Sequence, residues 1–358
     1  MTGVTQRGRQ THAEILQQPA LWPDTVERVK DCRFRTQLET GPVIVTGAGT
    51  SAYAAAAVEA AWPLTDGHSA RAIPSTDLLV CCDAVFPEGS ALLSLARSGD
   101  SPESVGVIDR VRTLHPSVRH FAITCNAGGG LAARLGGDAL VLDPRANDRS
   151  LVMTSSFSNL TLAGLCLRNL DLLRKEVAEI AGTIARSLGA MESAAEELAR
   201  NVPARAVMLG SRAMSGVAQE AALKLLETTS GRVAAIAETY LALRHGPMSF
   251  LRSDTLVLCW LSNDGVRRRY EEDLLAELRR KKLGRIVCIA TPLVAAELAD
   301  VAIPAAAAQL PDALRAPFEI VFAQLLAYQL SLRVGLDPDN PSPDGVITRV
   351  VQGVRMHG

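Results

Sequence analysis

The sequence predicts an α/β protein made of two doubly wound, mostly parallel sheets flanked by helices. Short apolar or β-branched runs each lead at once into a small-residue turn and a helix-forming stretch, the alternation expected of parallel sheets covered on both faces. The same series occurs twice, with equivalent turns about 165 residues apart, as a duplicated domain requires. Length and composition leave room for two cores, since 358 residues are 48% hydrophobic and 21% charged with a net charge of −1.

Taken in order, Thr11 to Glu14 has the spacing of a capping box, so a helix is predicted to open there and to end near Gln18-Pro19. A second helical stretch leads to Gly41-Pro42. Val43 to Val45 then reads as a strand, Thr46-Gly47-Ala48-Gly49-Thr50-Ser51 as a tight turn and Ala52 to Trp62 as a helix. Ala91 to Leu95 runs into Ser98-Gly99-Asp100-Ser101, and Phe121 to Thr124 into Cys125-Asn126 and the glycines 128–130. After a polar helical stretch around Met191 to Arg200 the series restarts. Ala206 to Leu209 meets Gly210-Ser211-Arg212, Thr255 to Leu261 meets Ser262-Asn263-Asp264, and Arg285 to Ile289 meets Ala290-Thr291. The expected organisation is an N-terminal helical segment over 1–40, a first domain over 41–185, a second over 200–335 and a tail over 336–358. Ligand crevices in such sheets lie beyond the carboxyl ends of the strands.

Composition excludes several classes. The balanced charge leaves no basic footprint for nucleic acid. Seven scattered cysteines, several inside apolar runs, read as reduced thiols, and neither a signal-peptide stretch in Met1 to Gln18 nor a run of membrane-spanning length is present, so a cytoplasmic protein is expected. The histidines His12, His68, His115, His120 and His357 and the pair Cys81-Cys82 have no metal-ligand spacing, so neither a metal nor another cofactor is expected.

Three turns are rich in hydroxyls: Gly49-Thr50-Ser51, Ser98-Gly99-Asp100-Ser101 and Thr154-Ser155-Ser156. A helix starting after such a turn aims amide groups and a positive dipole end at the space before it, which suits a phosphate. The plain alternative is capping, and Ser101 followed by Pro102 has the form of an N-cap. The second domain's turns are poorer in hydroxyls, which assigns the phosphate to the first. Gly47-x-Gly49-x-x-Ala52 also matches a dinucleotide fingerprint, but Asp77 stands too far on for its acidic partner, and the other serine-rich turns would go unexplained.

The predicted helix Gly216 to Ser230 places Glu220, Leu223, Lys224 and Glu227 on one stripe of an otherwise apolar surface. Either a solvated i,i+4 pair or a polar stripe facing a cleft fits that pattern. Downstream, Arg244-His245-Gly246-Pro247 puts a histidine beside a sharp turn. A carboxylate and an imidazole that meet at a phosphosugar would supply two proton-transfer groups.

Several motifs together resemble the AgaS family of double sugar isomerase (SIS) domain enzymes: Thr46 to Ser51, Arg97 to Ser104, Thr124-Cys125-Asn126, Met153 to Ser156, Glu220 to Glu227, Arg244 to Pro247 and Arg349 to Val354. More distantly, Gln324 to Tyr328 and Asp339-Asn340-Pro341 resemble the isomerase half of glucosamine-6-phosphate synthase. The resemblance implies two tandem SIS domains and a phosphosugar held by Gly49, Thr50, Ser51, Ser98, Gly99, Ser101, Thr154 and Ser155. It implies Glu227 as the acid that moves a proton between C1 and C2, and His245 as the group that assists ring opening, contributed across the interface of a homodimer. The tail would close over that site. One departure stands out: the synthase has a lysine where this chain has Val346, so no enzyme imine is expected. The implied activity is deamination of galactosamine or glucosamine 6-phosphate to a ketose 6-phosphate. Isomerisation of tagatose 6-phosphate, deglycation of a fructosamine 6-phosphate and non-catalytic sensing of a sugar phosphate stand as alternatives.

Overall fold

A computed structural model describes residues 7–62, 69–82 and 85–357. His68, one of the histidines considered above, and Met1 to Gln6 lie outside the described residues. Two short helices come first, α1 (Arg9–Leu16) and α2 (Gln18–Lys30), followed by a 3-10 turn at Arg35–Leu38. The helix expected to open at Thr11 starts two residues earlier. Thr11 does not cap it: Asp339 takes the first-turn amides of Gln10 and Thr11 at 3.1 and 2.7 Å and the Thr11 hydroxyl at 2.8 Å. A carboxylate satisfies several orphan amides where one hydroxyl satisfies a single one. That helix ends at Leu16, close to the expected Gln18-Pro19, and Pro19 sits in the first turn of α2, where its missing N–H costs nothing.

The first sheet is built from β1 (Val43–Thr46), α3 (Thr50–Ala61), β2 (Ala70–Ala72), α4 (Ser75–Val80), β3 (Ala91–Ala96), α5 (Pro102–Leu114), β4 (Arg119–Thr124), α6 (Gly130–Leu135) and β5 (Ala139–Val141). Its order is β2-β1-β3-β4-β5 with every pair parallel. Every residue of β1 and β3 is buried, as expected of central strands with helices on both faces. A long helical stretch, α7 (Ser155–Ala199), follows, made of two helices that meet at a kink at Asn169, where the backbone is non-helical.

The second sheet uses β6 (Arg205–Gly210), α8 (Ala213–Thr228), β7 (Ala234–Glu238), α9 (Tyr240–Leu243), β8 (Leu256–Trp260), α10 (Gly265–Arg280), β9 (Arg285–Ala290) and β10 (Val301–Pro304), before α11 (Asp312–Glu319) and α12 (Val321–Arg333). Read from its β7 edge it runs β7-β6-β8-β9-β10, again all parallel, so the two sheets share one topology. The turns repeat as well. A Cβ on Gly47 would stand 2.6 Å from the Ser51 backbone, and one on Gly210 2.1 Å from the Met214 carbonyl oxygen. Two residues on, Gly49 has φ 54° and ψ −126°, and Arg212 has φ 53° and ψ −116°.

The chain forms two compact units. One comprises 17–149, 153–182 and 345–358 and contains the first sheet; the other comprises 1–16, 150–152 and 183–344 and contains the second. The N-terminal forty residues are thus shared between units, as is the tail. Among the described residues no helix is long and apolar enough to cross a membrane, and no group of three or more His, Cys, Asp or Glu could hold a metal ion.

Candidate functional site

In the first sheet the strand order reverses between β1 and β3, and ligands of open α/β sheets bind beyond the strand ends at such a point. The turns after these two strands are Gly47 to Ser51 and Arg97 to Ser101. Thr50 and Ser51, in the first turn of α3, are buried, while Gly49 ahead of them is exposed. Gly49 leaves the approach open, since nothing lies within 4 Å of where its Cβ would be.

The turn after β3 is built by hydrogen bonds to its neighbour. Ser98 is half-buried, and its hydroxyl accepts from the Asp100 amide at 3.2 Å. Asn126, after β4, donates to the Ser98 carbonyl at 3.0 Å and to Asp100 at 3.2 Å, and the Gly130 amide donates to Asp100 at 2.8 Å. Gly99 has φ 68°, a conformation that favours glycine. Ser101 is the N-cap of α5: its Oγ accepts from the Ser104 amide at 3.3 Å and lies 2.7 Å from the Ser104 hydroxyl.

The third hydroxyl-rich turn does not directly follow a strand. Thr154 to Ser156 instead open α7, beyond a 3-10 turn at Pro144–Ala146. Their donors meet a carboxylate of the same unit: Asp148 accepts the amides of Thr154, Ser155 and Ser156 at 2.7, 3.1 and 2.8 Å and the hydroxyls of Thr154 and Ser156 at 3.2 and 2.5 Å. Ser155 Oγ also accepts from Gln17 at 2.8 Å. An anion therefore does bind this helix start, and it is the protein's own.

The second sheet shows the same self-occupation at both equivalent turns. Glu271 takes the Ser211 hydroxyl and the Ser262 amide, each at 2.7 Å. Asp312 takes the Asn263 amide at 2.8 Å and the Ser262 hydroxyl. Burial pushes the Glu271 pKa up, with the Ser262 and Ser211 donors only partly offsetting it. Burial acts the same way on Asp312, but the Asn263 amide, the Ser262 hydroxyl and Arg315 outweigh it and hold that carboxyl low. Arg315, fully buried, also reaches Glu319 through Nε and Nη2 at 2.7 and 2.8 Å.

On α8 the polar stripe is not a solvated face. Glu220 and Lys224 are 0% and 1% exposed at their side chains, while Glu227 is 23% exposed. Lys224 Nζ lies 3.4 Å from Glu220 Oε1 and 2.5 Å from Glu227 Oε2, so one buried ammonium is paired with two carboxylates. Of the three charged members of the row, Glu227 is the one that reaches solvent. His245 follows α9, exposed, and among the described residues its ring has no hydrogen bond to Glu227. Its neighbour Arg244 is tied to Glu277 at 2.7 Å, and Gly246 turns the chain with φ 125°.

The SIS domain model matches residues 200–333. AgaS of Streptomyces coelicolor is 38% identical over 97% of this chain and 95% of its own length. D-galactosamine-6-phosphate deaminase AgaS of Escherichia coli is 33% identical over 98% and 96%. The chain belongs to the AgaS family. Tagatose-6-phosphate ketose/aldose isomerase from Escherichia coli has the same fold with a TM-score of 0.87, 30% identity and coverage of 98% of this chain and 97% of that one. In this AgaS chain the two matching sheets are tandem SIS domains. The residues that sequence reasoning missed are the carboxylates Asp148, Glu271 and Asp312 with buried Arg315. An aspartate six residues ahead of a Thr-Ser-Ser helix start was the one legible hint, while Asp312 lies about 50 residues from the turn it fills.

Proposed function

We propose that this AgaS chain is an amino-sugar phosphate deaminase that converts galactosamine 6-phosphate, or its glucosamine epimer, to a ketose 6-phosphate and ammonia. The turns carrying Gly49, Thr50, Ser51, Ser98, Gly99 and Ser101 receive the phosphate. Thr154 and Ser155 support that site through Asp148 rather than by touching the anion. With the ring open, His245 having assisted, Glu227 removes the C2 proton of the aldehyde and returns it to C1. The product is an imine at C2 with a hydroxyl at C1, and water hydrolyses the imine to a ketone with release of ammonia. No step calls for a metal or another cofactor. The observation that carries this reading is the α8 row, in which a carboxylate with partial exposure is fixed by a buried ammonium at 2.5 Å.

Glu227→Gln should lower ammonia release from galactosamine 6-phosphate by about 10²–10⁴-fold while phosphosugar binding persists. Unchanged turnover would remove Glu227 from the chemistry. The isomerase at 30% identity favours a second reading, aldose–ketose conversion of tagatose 6-phosphate by the same proton shift with oxygen in place of nitrogen. Ketose formation without ammonia across a panel of both substrate classes selects it. A cytoplasmic location accords with seven cysteines that are all free thiols. A homodimer accords with the exposure of both His245 and Leu241, the latter 47% exposed, and a monomer in sedimentation would contradict it.

A further inference from the structure

The proposed chemistry leaves one well-held side chain of the first unit unused. Residues 345–357 contain no helix or strand and are mostly exposed, yet Arg349 is half-buried. Its Nε and Nη2 donate to the Asp148 carbonyl at 2.9 and 2.6 Å, and Nη2 also donates to Asn147 Oδ1 at 2.7 Å. Its own carbonyl accepts from Arg97 Nη2 at 2.6 Å. Arg97 is 6% exposed and immediately precedes Ser98, and Asp148 organises the start of α7. The buried Cys125 thiol, raised mainly by burial, also feels Asp148, Arg97 and Arg349, which places the three charges around the end of β4.

We propose that Arg349 is a positioning residue that straps the C-terminal tail to the Ser98 turn, so that docking of the tail and anion binding at that turn favour each other. A buried guanidinium needs acceptors, and the Arg349 carbonyl gives Arg97 one of them. If the tail leaves, Arg97 must find another acceptor, and the main chain of Ser98 moves with it. By reciprocity, an anion that fixes the Ser98 turn fixes Arg97 and favours the docked tail. The planar guanidinium fork holds its two acceptors in a fixed geometry that a lysine ammonium does not preset.

The inference rests on the reading that the Ser98 turn holds the phosphate, and hydrogen exchange on the full chain separates the two. Without ligand, Arg349→Ala should exchange the 98–101 amides about tenfold faster than the native chain, as loss of charge-assisted hydrogen bonds implies, with the β-sheet amides unchanged and Arg349→Lys intermediate. Native exchange at 98–101 in both variants overturns the strap. With galactosamine 6-phosphate, residues 345–357 of the native chain should become protected, and the KM of Arg349→Ala should rise about tenfold with kcat nearly unchanged. Protection of 98–101 without any protection of the tail overturns the coupling. Failure of the sugar phosphate to protect 98–101 counts instead against the phosphate reading, and the ligand-free comparison still judges the strap.

Discussion

Buried charge decides what the α8 row does. Lys224 and Glu220 are buried side by side, and removing the ammonium takes the neighbouring cation away from a buried carboxylate. Lys224→Met should therefore destabilise the protein by about 3–5 kcal/mol in chemical denaturation, and adding Glu220→Gln should recover part of that loss. A single variant as stable as the native chain would contradict the ion pairing. The hydroxyls act differently. Thr50 and Ser51 are buried in the first turn of α3 and Ser98 is half-buried, so they are held in place before any ligand arrives. Ser51→Ala with Ser98→Ala should raise KM for galactosamine 6-phosphate by about ten- to a hundredfold, at about 1 kcal/mol per hydrogen bond, with kcat little changed. Loss of kcat at constant KM would contradict a phosphate role.

At the scale of the element, the strand–turn–helix unit is what the chain repeats. Both copies place glycine where a Cβ would strike the following helix, at Gly47 and Gly210. They differ at the next special position, where Gly49 in the first copy is matched by Arg212 at φ 53°. A residue with a Cβ pays a conformational penalty there of about 1–2 kcal/mol. Arg212→Gly should accordingly raise the thermal midpoint, by an amount corresponding to about 1 kcal/mol once glycine's unfolded-state entropy is subtracted. A lower midpoint would show that the Arg212 side chain contributes more than its backbone costs. The helix starts of the two sheets use carboxylates too: Asp148 closes α7, and Glu271 with Asp312 closes the turns of the second sheet.

At the scale of the whole molecule, acid acts through groups that the fold keeps neutral or paired. Both ring nitrogens of His120 are buried without a hydrogen-bond partner, and burial, reinforced by Arg112, pushes its pKa down to about 4 from 6.5. The unfolded chain takes up that proton first. Stability from this group is therefore complete above pH 6.5 and drains away as pH falls towards 4. His120→Leu should flatten the midpoint-against-pH curve in that window, and parallel curves would disprove the assignment.

The sequence by itself determined the duplicated α/β architecture, because strand burial, glycine turns and helix-forming stretches are local signals that recur at a fixed spacing. It also picked out Glu227 on a polar stripe, but left open whether that stripe faced water. Only the tertiary structure decided that Glu220 and Lys224 are buried, that Asp339 rather than Thr11 caps α1, and that Arg349 of the tail meets Arg97. Each of these depends on partners brought together from distant parts of the chain, and electrostatic pairing at long range leaves no periodicity for a sequence to display.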